Sequence, residues 1–329
     1  MKRFFVAFLT FLFALTSAKA QAVFQRSFVK MGSAFDLTLV AKNQTEADRL
    51  IEAAIAEIDR IERLISSWDQ ASETSLVNRM AGKHPVKVSK ELYDLVSRAK
   101  AIAQLTEGAF DPTYASVDKI WTFDGSSIQQ PKAEIISATV AKIGFEKLVF
   151  DPLESSLYLP LQGMKIGFGA IGKGYAADRV KSLLQKQGVT AGIVNASGDM
   201  SAWGSQPNGK TWQVGLVNPK NKEKVFAWFP ISNQAVVTSG DYEKFLMIDN
   251  KRHGHIINPK TGYPSQDVIS CTVFAPKAEL ADALSTALFV MGVETGIDFI
   301  NQLNQVEAIM IDDDGKIFTS KNISIDETI

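Results

Sequence analysis

The chain has 329 residues, of which 46% are hydrophobic and 22% are charged, so it holds enough apolar material for a buried core. This composition excludes disordered, collagen-like and coiled-coil classes. The 35 Lys and Arg residues nearly balance the 36 Asp and Glu residues, so no overall field attracts nucleic acid, and we expect no nucleic-acid partner. A single cysteine, Cys271, and three histidines exclude a cysteine-rich zinc site and leave little room for a histidine metal cage.

The N-terminal segment has the organisation of a secretory signal. Lys2 and Arg3 precede an apolar run from Phe4 to Leu15, and an Ala-x-Ala cleavage site follows at Ala18-Lys19-Ala20. The run is shorter than the roughly 20 residues that a transmembrane helix needs. We therefore predict a signal peptide at 1–20, one exported domain at 21–329, and a periplasmic or otherwise extracytoplasmic location. In the alternative, an uncleaved signal anchors the chain to the membrane.

Apolar spacing predicts the elements of the first half of the chain. Apolar residues alternate with polar ones around Leu37, which indicates a half-buried strand. Asn43, with Glu46 three residues on, is typical of a helix start, and the helical repeat of apolar residues that follows continues to Trp68. Two further helices are predicted, from Ser89 to Gly108 and from Lys132 to Gly144.

Strands dominate the predicted second half. A hairpin at 148–159 leads into a glycine-rich turn and a helix that ends near Gly188. Further strands are predicted at Ala191–Val194, Trp212–Leu216, Val225–Ile231, Phe245–Ile248 and Val268–Phe274, then helices at Ala278–Met291 and Thr295–Gln302 and a hairpin at Asp312–Gly315. Strands and helices do not alternate strictly. We therefore predict an α+β fold of mixed sheets with packed helices rather than a doubly wound sheet.

The segment Gly167-Phe-Gly169-Ala-Ile-Gly172-Lys173-Gly174 matches two phosphate-binding patterns. It fits the dinucleotide fingerprint G-x-G-x-x-G and most of the Walker A pattern, because glycines let backbone N–H groups approach a phosphate at a helix start. Gly174 stands where a Walker loop has Ser or Thr, and the surrounding sequence is not a clean βαβ unit. The motif indicates a phosphate of unspecified class, with a purely structural glycine turn as the alternative.

The helix predicted at Ala278–Met291 is apolar almost all round, yet it contains Asp282. A buried carboxylate needs a partner or a metal, and Thr286 lies four residues on, hence on the same helical face. Hard oxygen ligands of this kind suit magnesium. The alternative is a buried Asp that is satisfied by hydrogen bonds alone.

A third group of polar residues surrounds His255, which lies just before a turn rich in Pro and Gly. Histidine near neutral pH serves as a general base or as a donor that orients a ligand. An ordinary histidine at the surface of a strand is the alternative. No G-x-S-x-G elbow is present, which argues against serine-hydrolase chemistry.

These motifs, in this order, resemble the ApbE family of FAD:protein FMN transferases. The resemblance covers nearly the whole chain after the signal. Its motifs are Met31-Gly32-Ser33, Ser66-Ser67-Trp68 to Asn78, Gly108 to Thr113, Gly169 to Asp178, Val194 to Asp199, Thr238 to Tyr242, His255 to Pro264, and Ala281 to Leu288.

The resemblance implies that FMN is transferred from FAD, with AMP released, to a Thr or Ser hydroxyl of an exported or membrane flavoprotein. Subunits of respiratory electron-transfer complexes are the implied acceptors. The implied FAD site comprises Met31, Trp68, Ala109, Phe110, Asp111, Lys173 and Ile256. The implied Mg²⁺ ligands, with Mn²⁺ as the alternative ion, are Ala170, Asp282, Ser285 and Thr286, and His255 and Asp282 are the implied catalytic residues.

Two positions depart from the family pattern. Gly167 stands where the family often has Asp, and Asn258 stands where it often has Asp before Pro259. The first change removes a hydrogen-bonding group from the nucleotide site, and the second keeps an acceptor without its charge. Three other functions stay open: hydrolysis of FAD to FMN and AMP, flavin binding without catalysis, and nicotinamide-linked oxidoreduction.

Overall fold

The computed structural model describes residues 21–126, 129–240, 245–248 and 251–325. The predicted signal peptide at 1–20 lies outside these residues. The α-helices are α1 (Gln44–Ile65), α2 (Glu73–Arg79), α3 (Lys90–Leu105), α4 (Ala133–Val140), α5 (Gly172–Lys186), α6 (Ala278–Met291) and α7 (Val293–Ile300), and 3-10 helices span Pro112–Ile120 and Phe145–Lys147. Within the described ranges, no helix is both long enough and apolar enough to cross a membrane.

The strands form one large sheet and three small ones. They are β1 (Ala22–Lys30), β2 (Ser33–Ala41), β3 (Val86–Lys87), β4 (Val149–Asp151), β5 (Ser156–Tyr158), β6 (Gly192–Ala196), β7 (Asp199–Trp203), β8 (Trp212–Asn218), β9 (Asn221–Ile231), β10 (Ala235–Gly240), β11 (Phe245–Ile248), β12 (Lys251–Gly254), β13 (Val268–Ala275), β14 (Glu307–Asp312) and β15 (Ile317–Thr319). The large sheet has the order β1-β2-β6-β7-β10-β13-β14-β15, and its neighbouring strands pair antiparallel. The predicted α+β architecture is confirmed.

The large sheet is covered on both faces. Along β2, Phe35, Leu37 and Leu39 pack against a layer formed by α1, α5 and α6, whereas Val40 belongs to the core on the opposite face. The period-2 alternation predicted for this strand is therefore confirmed. A separate core lies between α1, α3 and α5 and includes Phe110. The chain from Gly108 onward is thus anchored in this core beside the helical layer.

Several element boundaries differ from the predictions. Helix α1 begins as predicted, because the Asn43 side chain accepts a hydrogen bond from the Glu46 N–H at 2.9 Å. It ends at Ile65 rather than Trp68, because Ser66 turns to extended backbone and its hydroxyl accepts hydrogen bonds from the N–H groups of Trp68 and Asp69. Some elements are not predicted from the sequence, because short or half-exposed segments carry weak hydrophobic periodicity. These include β1, α2, β7, β10 and the first 3-10 helix.

Helices α5 and α6 satisfy each other's N-termini. The Gly174 N–H in the first turn of α5 donates to Asp282 Oδ2 at 3.0 Å, and the Glu279 N–H in the first turn of α6 donates to Asp178 Oδ2 at 3.0 Å. Neither helix has a local side-chain cap. Each aspartate therefore takes the place of a local cap, and its negative charge interacts favourably with the positive end of the other helix's dipole. This reciprocal capping fixes where the two helices meet.

Arg60 joins α1 to α3, and we expect its removal to weaken the fold in a pH-dependent way. Arg60 pairs with Glu57 at 2.8 Å and with Glu91 at 2.7 Å. These contacts hold the pKa of both glutamate carboxyls below the ordinary value of 4.5. Arg60→Met should lower the stability by about 1 kcal/mol at neutral pH. A carboxyl whose pKa is lowered in the folded state stabilises the fold at pH values above its ordinary pKa. The stability difference between the wild type and Arg60→Met should therefore shrink as the pH falls through the lowered pKa.

Thermal unfolding across a pH series tests this expectation. Lys87→Met is the matched control, because its ion pair with Glu154 is well exposed and should contribute little. A loss of stability in Arg60→Met that stays the same from neutral to acidic pH would contradict the assignment.

Candidate active site

A cavity of about 470 Å³ lies beside the N-terminus of α5 and the buried face of α6. It brings together residues from seven separate parts of the chain. Of the residues predicted to bind FAD, it is lined by Ala109, Phe110, Asp111, Lys173 and Ile256, and of those predicted for metal binding or catalysis by Ala170, His255, Asp282 and Thr286. Its volume is within the range of small-molecule sites.

Three of the predicted site residues do not line this cavity. Met31 lies in the turn between β1 and β2 with φ 52°, next to Gly32, which does line it. Trp68 follows the end of α1, and its side chain is 79% exposed. Ser285 is fully buried, and its hydroxyl bonds with Ser239 Oγ at 2.7 Å and donates to the Asp282 carbonyl at 2.9 Å. Ser285 is thus engaged by protein groups behind the cavity wall.

The position of Asp282 depends on a glycine in the facing helix. A Cβ at Gly174 would lie 2.2 Å from the Ala278 carbonyl oxygen and 2.9 Å from Asp282 Cβ. Only glycine therefore allows α5 to approach α6 this closely. The same residue donates its N–H to Asp282 Oδ2. The glycine-rich motif thus presents its helix N-terminus to a carboxylate of the protein itself.

Two buried carboxyls and one lysine form the cavity floor: Asp282 and Lys173 line the cavity, and Asp199 lies behind Lys173. Asp199, at the start of β7, is 1% exposed, and its Oδ2 lies 2.9 Å from Lys173 Nζ. Burial raises the pKa of the Asp282 carboxyl well above its ordinary value, and the neighbouring charge of Asp199 raises it further, whereas Lys173 and the Gly174 N–H oppose the rise. With both carboxyls ionised, the group carries more negative than positive charge. A cation bound beside Asp282 would offset this excess.

The donor set beside Asp282 suits a hard divalent ion. Thr286 lies one helical turn from Asp282 on the same face of α6, so their Cβ atoms are about 5–6 Å apart, and both line the cavity with Ala170. A carboxylate, a hydroxyl and a backbone carbonyl are oxygen ligands of the kind that Mg²⁺ takes alongside water and phosphate. The described residues hold no group of three or more His, Cys, Asp and Glu side chains suited to a metal.

His255 stands at the exposed side of the cavity, at the start of a rigid turn. Its ring centroid lies 6.4 Å from that of Phe123 in an edge-to-face arrangement. The turn that follows is anchored by Trp121, whose ring N–H donates to the Gly262 carbonyl at 2.8 Å. Asn258 Oδ1 accepts from the Lys260 N–H at 2.9 Å. The amide oxygen therefore serves as an acceptor within the turn without the charge of an aspartate.

Asp111 supports the cavity wall through three hydrogen bonds. Its Oδ1 accepts from the backbone N–H of Thr113 at 2.7 Å and from the Thr113 hydroxyl at 2.6 Å, and its Oδ2 accepts from the Phe145 N–H at 2.9 Å. Burial raises the pKa of the Asp111 carboxyl, and these bonds oppose the rise. Asp111 thereby caps the 3-10 helix and fixes the backbone beside Ala109 and Phe110.

The two nucleotide-fold interpretations of the glycine-rich motif are wrong. A dinucleotide-binding fingerprint requires a parallel βαβ unit, and the strand pairings among the described residues are antiparallel. The segment that leads into α5 belongs to none of the described strands. The fold therefore removes the basis for the nicotinamide-linked oxidoreductase.

The sequence alone indicates no role for several residues of the site, among them Asp199 and Tyr114. Asp199 is part of a quoted motif, and the available signal is its acidic side chain in a strand with Met200, Ala202 and Trp203. Tyr114 lines the cavity and follows the Gly108 to Thr113 motif directly. Burial raises the pKa of the Tyr114 phenol, so the hydroxyl stays protonated at neutral pH. No sequence periodicity singles it out.

Two features define the class of protein to which the chain belongs. One is an antiparallel sheet with a helical layer, and the other is a cavity that joins a glycine-rich helix start to a carboxylate–threonine pair. The sequence profile of the ApbE family matches residues 31–310. The chain therefore belongs to the ApbE family. It is similar to the FAD:protein FMN transferase of Klebsiella pneumoniae (strain 342), with 33% identity over 88% of this chain and 89% of that protein. The corresponding protein of Treponema pallidum is 30% identical over 84% of this chain and 81% of its own length.

Solved structures agree with this assignment. The ApbE protein from Thermotoga maritima superimposes with a TM-score of 0.83 at 30% identity, covering 91% of this chain and 97% of that one. The flavin transferase ApbE from Vibrio cholerae gives a TM-score of 0.81 at 28% identity, covering 92% and 98% of the two chains. The similarity thus extends through nearly the whole fold.

Proposed function

We propose that this chain is an FAD:protein FMN transferase that moves FMN from FAD to a Ser or Thr hydroxyl of another protein. The activity named for its relatives supports the proposal. The observation that carries it is the charge arrangement of the cavity floor, where the Asp282 and Asp199 carboxylates share one lysine. Such a floor repels a bare diphosphate and accepts one that arrives with a divalent cation.

In the proposed reaction, the incoming hydroxyl oxygen forms a bond to the FMN phosphorus, and the bond from that phosphorus to the bridging oxygen of AMP breaks. AMP leaves with the electron pair of that bond. His255 accepts the proton of the hydroxyl, and its exposed position suits a group that meets an acceptor arriving from solvent. Lys173 offers positive charge to the phosphates from the first turn of α5.

The Mg²⁺ ion, or Mn²⁺ in its place, would be held by Asp282, Thr286 and the Ala170 carbonyl. When bound, it supplies charge neutralisation on the phosphoryl oxygens. Ser285 would act through its hydrogen bond to the Asp282 carbonyl rather than as a direct ligand. The two carboxylates and the close approach at Gly174 keep this part of the site rigid.

The acceptors we propose are exported or membrane-bound flavoprotein subunits of respiratory electron-transfer complexes. Transfer of FMN from FAD to these acceptors would take place outside the cytoplasm, in keeping with the signal-like residues 1–20. Contact with the membrane would then come through the acceptor or through an uncleaved signal. Subcellular fractionation of cells that express the full chain tests the location of the protein. N-terminal sequencing of the product tests whether the signal is cleaved.

Incubation of the purified protein with FAD, Mg²⁺ and a candidate acceptor domain tests the activity. We expect the acceptor to gain the mass of one FMN group, AMP to appear in equal amount, and both products to disappear when the metal is chelated. AMP and free FMN without labelled acceptor would instead support hydrolysis, because water can reach the exposed His255. If FAD binds and neither product appears, the result would support a protein that binds flavin without catalysis.

Replacement of His255 by alanine should slow transfer by roughly 10²- to 10⁴-fold, the usual contribution of a positioned general base. FAD affinity should change little, because the ring lies at the exposed side of the cavity. Single-turnover transfer and FAD binding, measured on the same samples, check this expectation. His84→Ala is the control, because His84 is exposed and does not line the cavity. Loss of FAD binding in His255→Ala would reassign the residue to ligand orientation.

A further inference from the structure

Tyr114 is a polar side chain of the cavity wall whose role the sequence alone does not indicate. It lies on the 3-10 helix that Asp111 caps, and its side chain lines the same cavity as Asp282 and Ala170. The Gly167 N–H donates to the Pro112 carbonyl at 2.9 Å. This bond ties the glycine-rich loop to the start of the tyrosine's helix. The phenol is therefore held on a rigid support beside the loop.

Two glycines lie against the segment that carries the phenol, and one of them makes room for its hydroxyl. A Cβ at Gly169 would lie 2.4 Å from the Tyr114 hydroxyl oxygen, a distance that would force one of the groups to move. A Cβ at Gly167 would lie 2.9 Å from Ala115 Cβ and 3.7 Å from the same hydroxyl oxygen. The hydroxyl thus fills the space that a side chain at 169 would enter, and Ala115 fills the corresponding space at 167.

The Tyr114 phenol is placed to donate a hydrogen bond into the cavity. Its oxygen lies against the backbone at Gly169, and a phenol oxygen that accepts from a backbone N–H still has its own O–H to donate. The adjoining cavity holds the residues proposed to meet the diphosphate, and phosphate oxygens are strong acceptors.

We infer that Tyr114 is a ligand-binding residue whose O–H donates to a diphosphate oxygen of FAD, with Gly169 leaving room for the hydroxyl. The inference rests on the proposed function for the identity of the ligand.

Binding of FAD and of ADP, which carries the diphosphate without the flavin, tests the inference in the full-length protein. Tyr114→Phe removes only the hydroxyl and should weaken both ligands roughly tenfold or more, as expected for a lost bond to a charged group. Tyr93→Phe is the matched control, because that phenol packs on Phe150 outside the cavity. The melting temperature of each ligand-free variant shows whether it folds as the wild type does.

A second variant separates the hydroxyl from general packing. Gly169→Ala should weaken FAD binding because its methyl group displaces the hydroxyl, yet it should add little further loss in the Tyr114→Phe background, where the ring carbon is 3.7 Å away. Equal affinity of wild type and Tyr114→Phe would overturn the inference, as would additive losses in the double variant or a loss for FAD that ADP does not share. Wild-type protein that binds no FAD would overturn the proposed function and this inference with it.

Discussion

Replacement of Asp282 by asparagine is expected to lower metal-dependent turnover by roughly 10³-fold or more, since it removes the charged oxygen ligand that holds the cation. Asn keeps an oxygen that accepts from the Gly174 N–H, so the cap of α5 is retained. The variant also relieves repulsion between two buried carboxylates, because Asp199 keeps Lys173 as its partner. We therefore expect a folded protein that has lost its metal affinity.

Titration of the ligand-free protein with Mn²⁺, followed by electron paramagnetic resonance, measures that affinity without reference to turnover. Asp282→Ala should lose metal as completely as Asp282→Asn but should be less stable, because the α5 terminus loses its acceptor. Asp94→Asn, an i,i+4 partner of Lys90 on the surface of α3, controls for the loss of one negative charge. Mn²⁺ affinity close to wild type in Asp282→Asn would place the metal elsewhere.

Substitution of Gly174 by alanine should destabilise the protein by about 3 kcal/mol, at the upper end of the usual cost of an overpacked contact. The added methyl carbon would lie 2.2 Å from a backbone oxygen of α6, and backbone cannot rotate aside as a side chain can. Helix propensity alone predicts the opposite, since alanine is favoured over glycine within a helix. The free energy of unfolding measured with denaturant and the affinity for FAD should therefore both fall.

Gly296→Ala is the matched control for that substitution. Gly296 is also helical, but the nearest atom to its Cβ is the Met310 Sδ at 3.1 Å, at the flexible part of a long side chain. We expect this variant to be close to the wild type in stability. If Gly174→Ala were as stable as Gly296→Ala and still bound FAD, the close approach of α5 to α6 would not be what holds Asp282 in place.

The sequence was sufficient for features that depend on neighbours along the chain. The start of α1 at Asn43 and the start of α3 after Ser89 followed from local capping chemistry, and both caps are present. Asp282 and Thr286 were paired from the 3.6-residue period alone. The same period overextended α1 to Trp68, because it cannot register the Ser66 hydroxyl that ends the helix by bonding to the next backbone groups.

The arrangement of the cavity was beyond local reasoning because its contacts join distant segments. Asp282 caps a helix that begins 110 residues earlier in the chain, so the glycine motif seemed open to phosphate when its N-terminus already had a carboxylate. Asp199 meets Lys173 only through the pairing of β7 within the sheet. The Tyr114 hydroxyl has room only because position 169, more than fifty residues away, is a glycine. The family resemblance supplied the site residues that periodicity could not.

The central claim is that one cavity holds both FAD and a divalent cation, with the cation at Asp282 and Thr286. Diffraction from crystals grown with FAD and Mn²⁺, recorded at a wavelength where manganese scatters anomalously, tests it most directly. We predict an anomalous peak within ligand distance of Asp282 and Thr286, with the FAD diphosphate beside it and beside Lys173. Manganese bound away from α6, or FAD bound outside this cavity, would contradict the account.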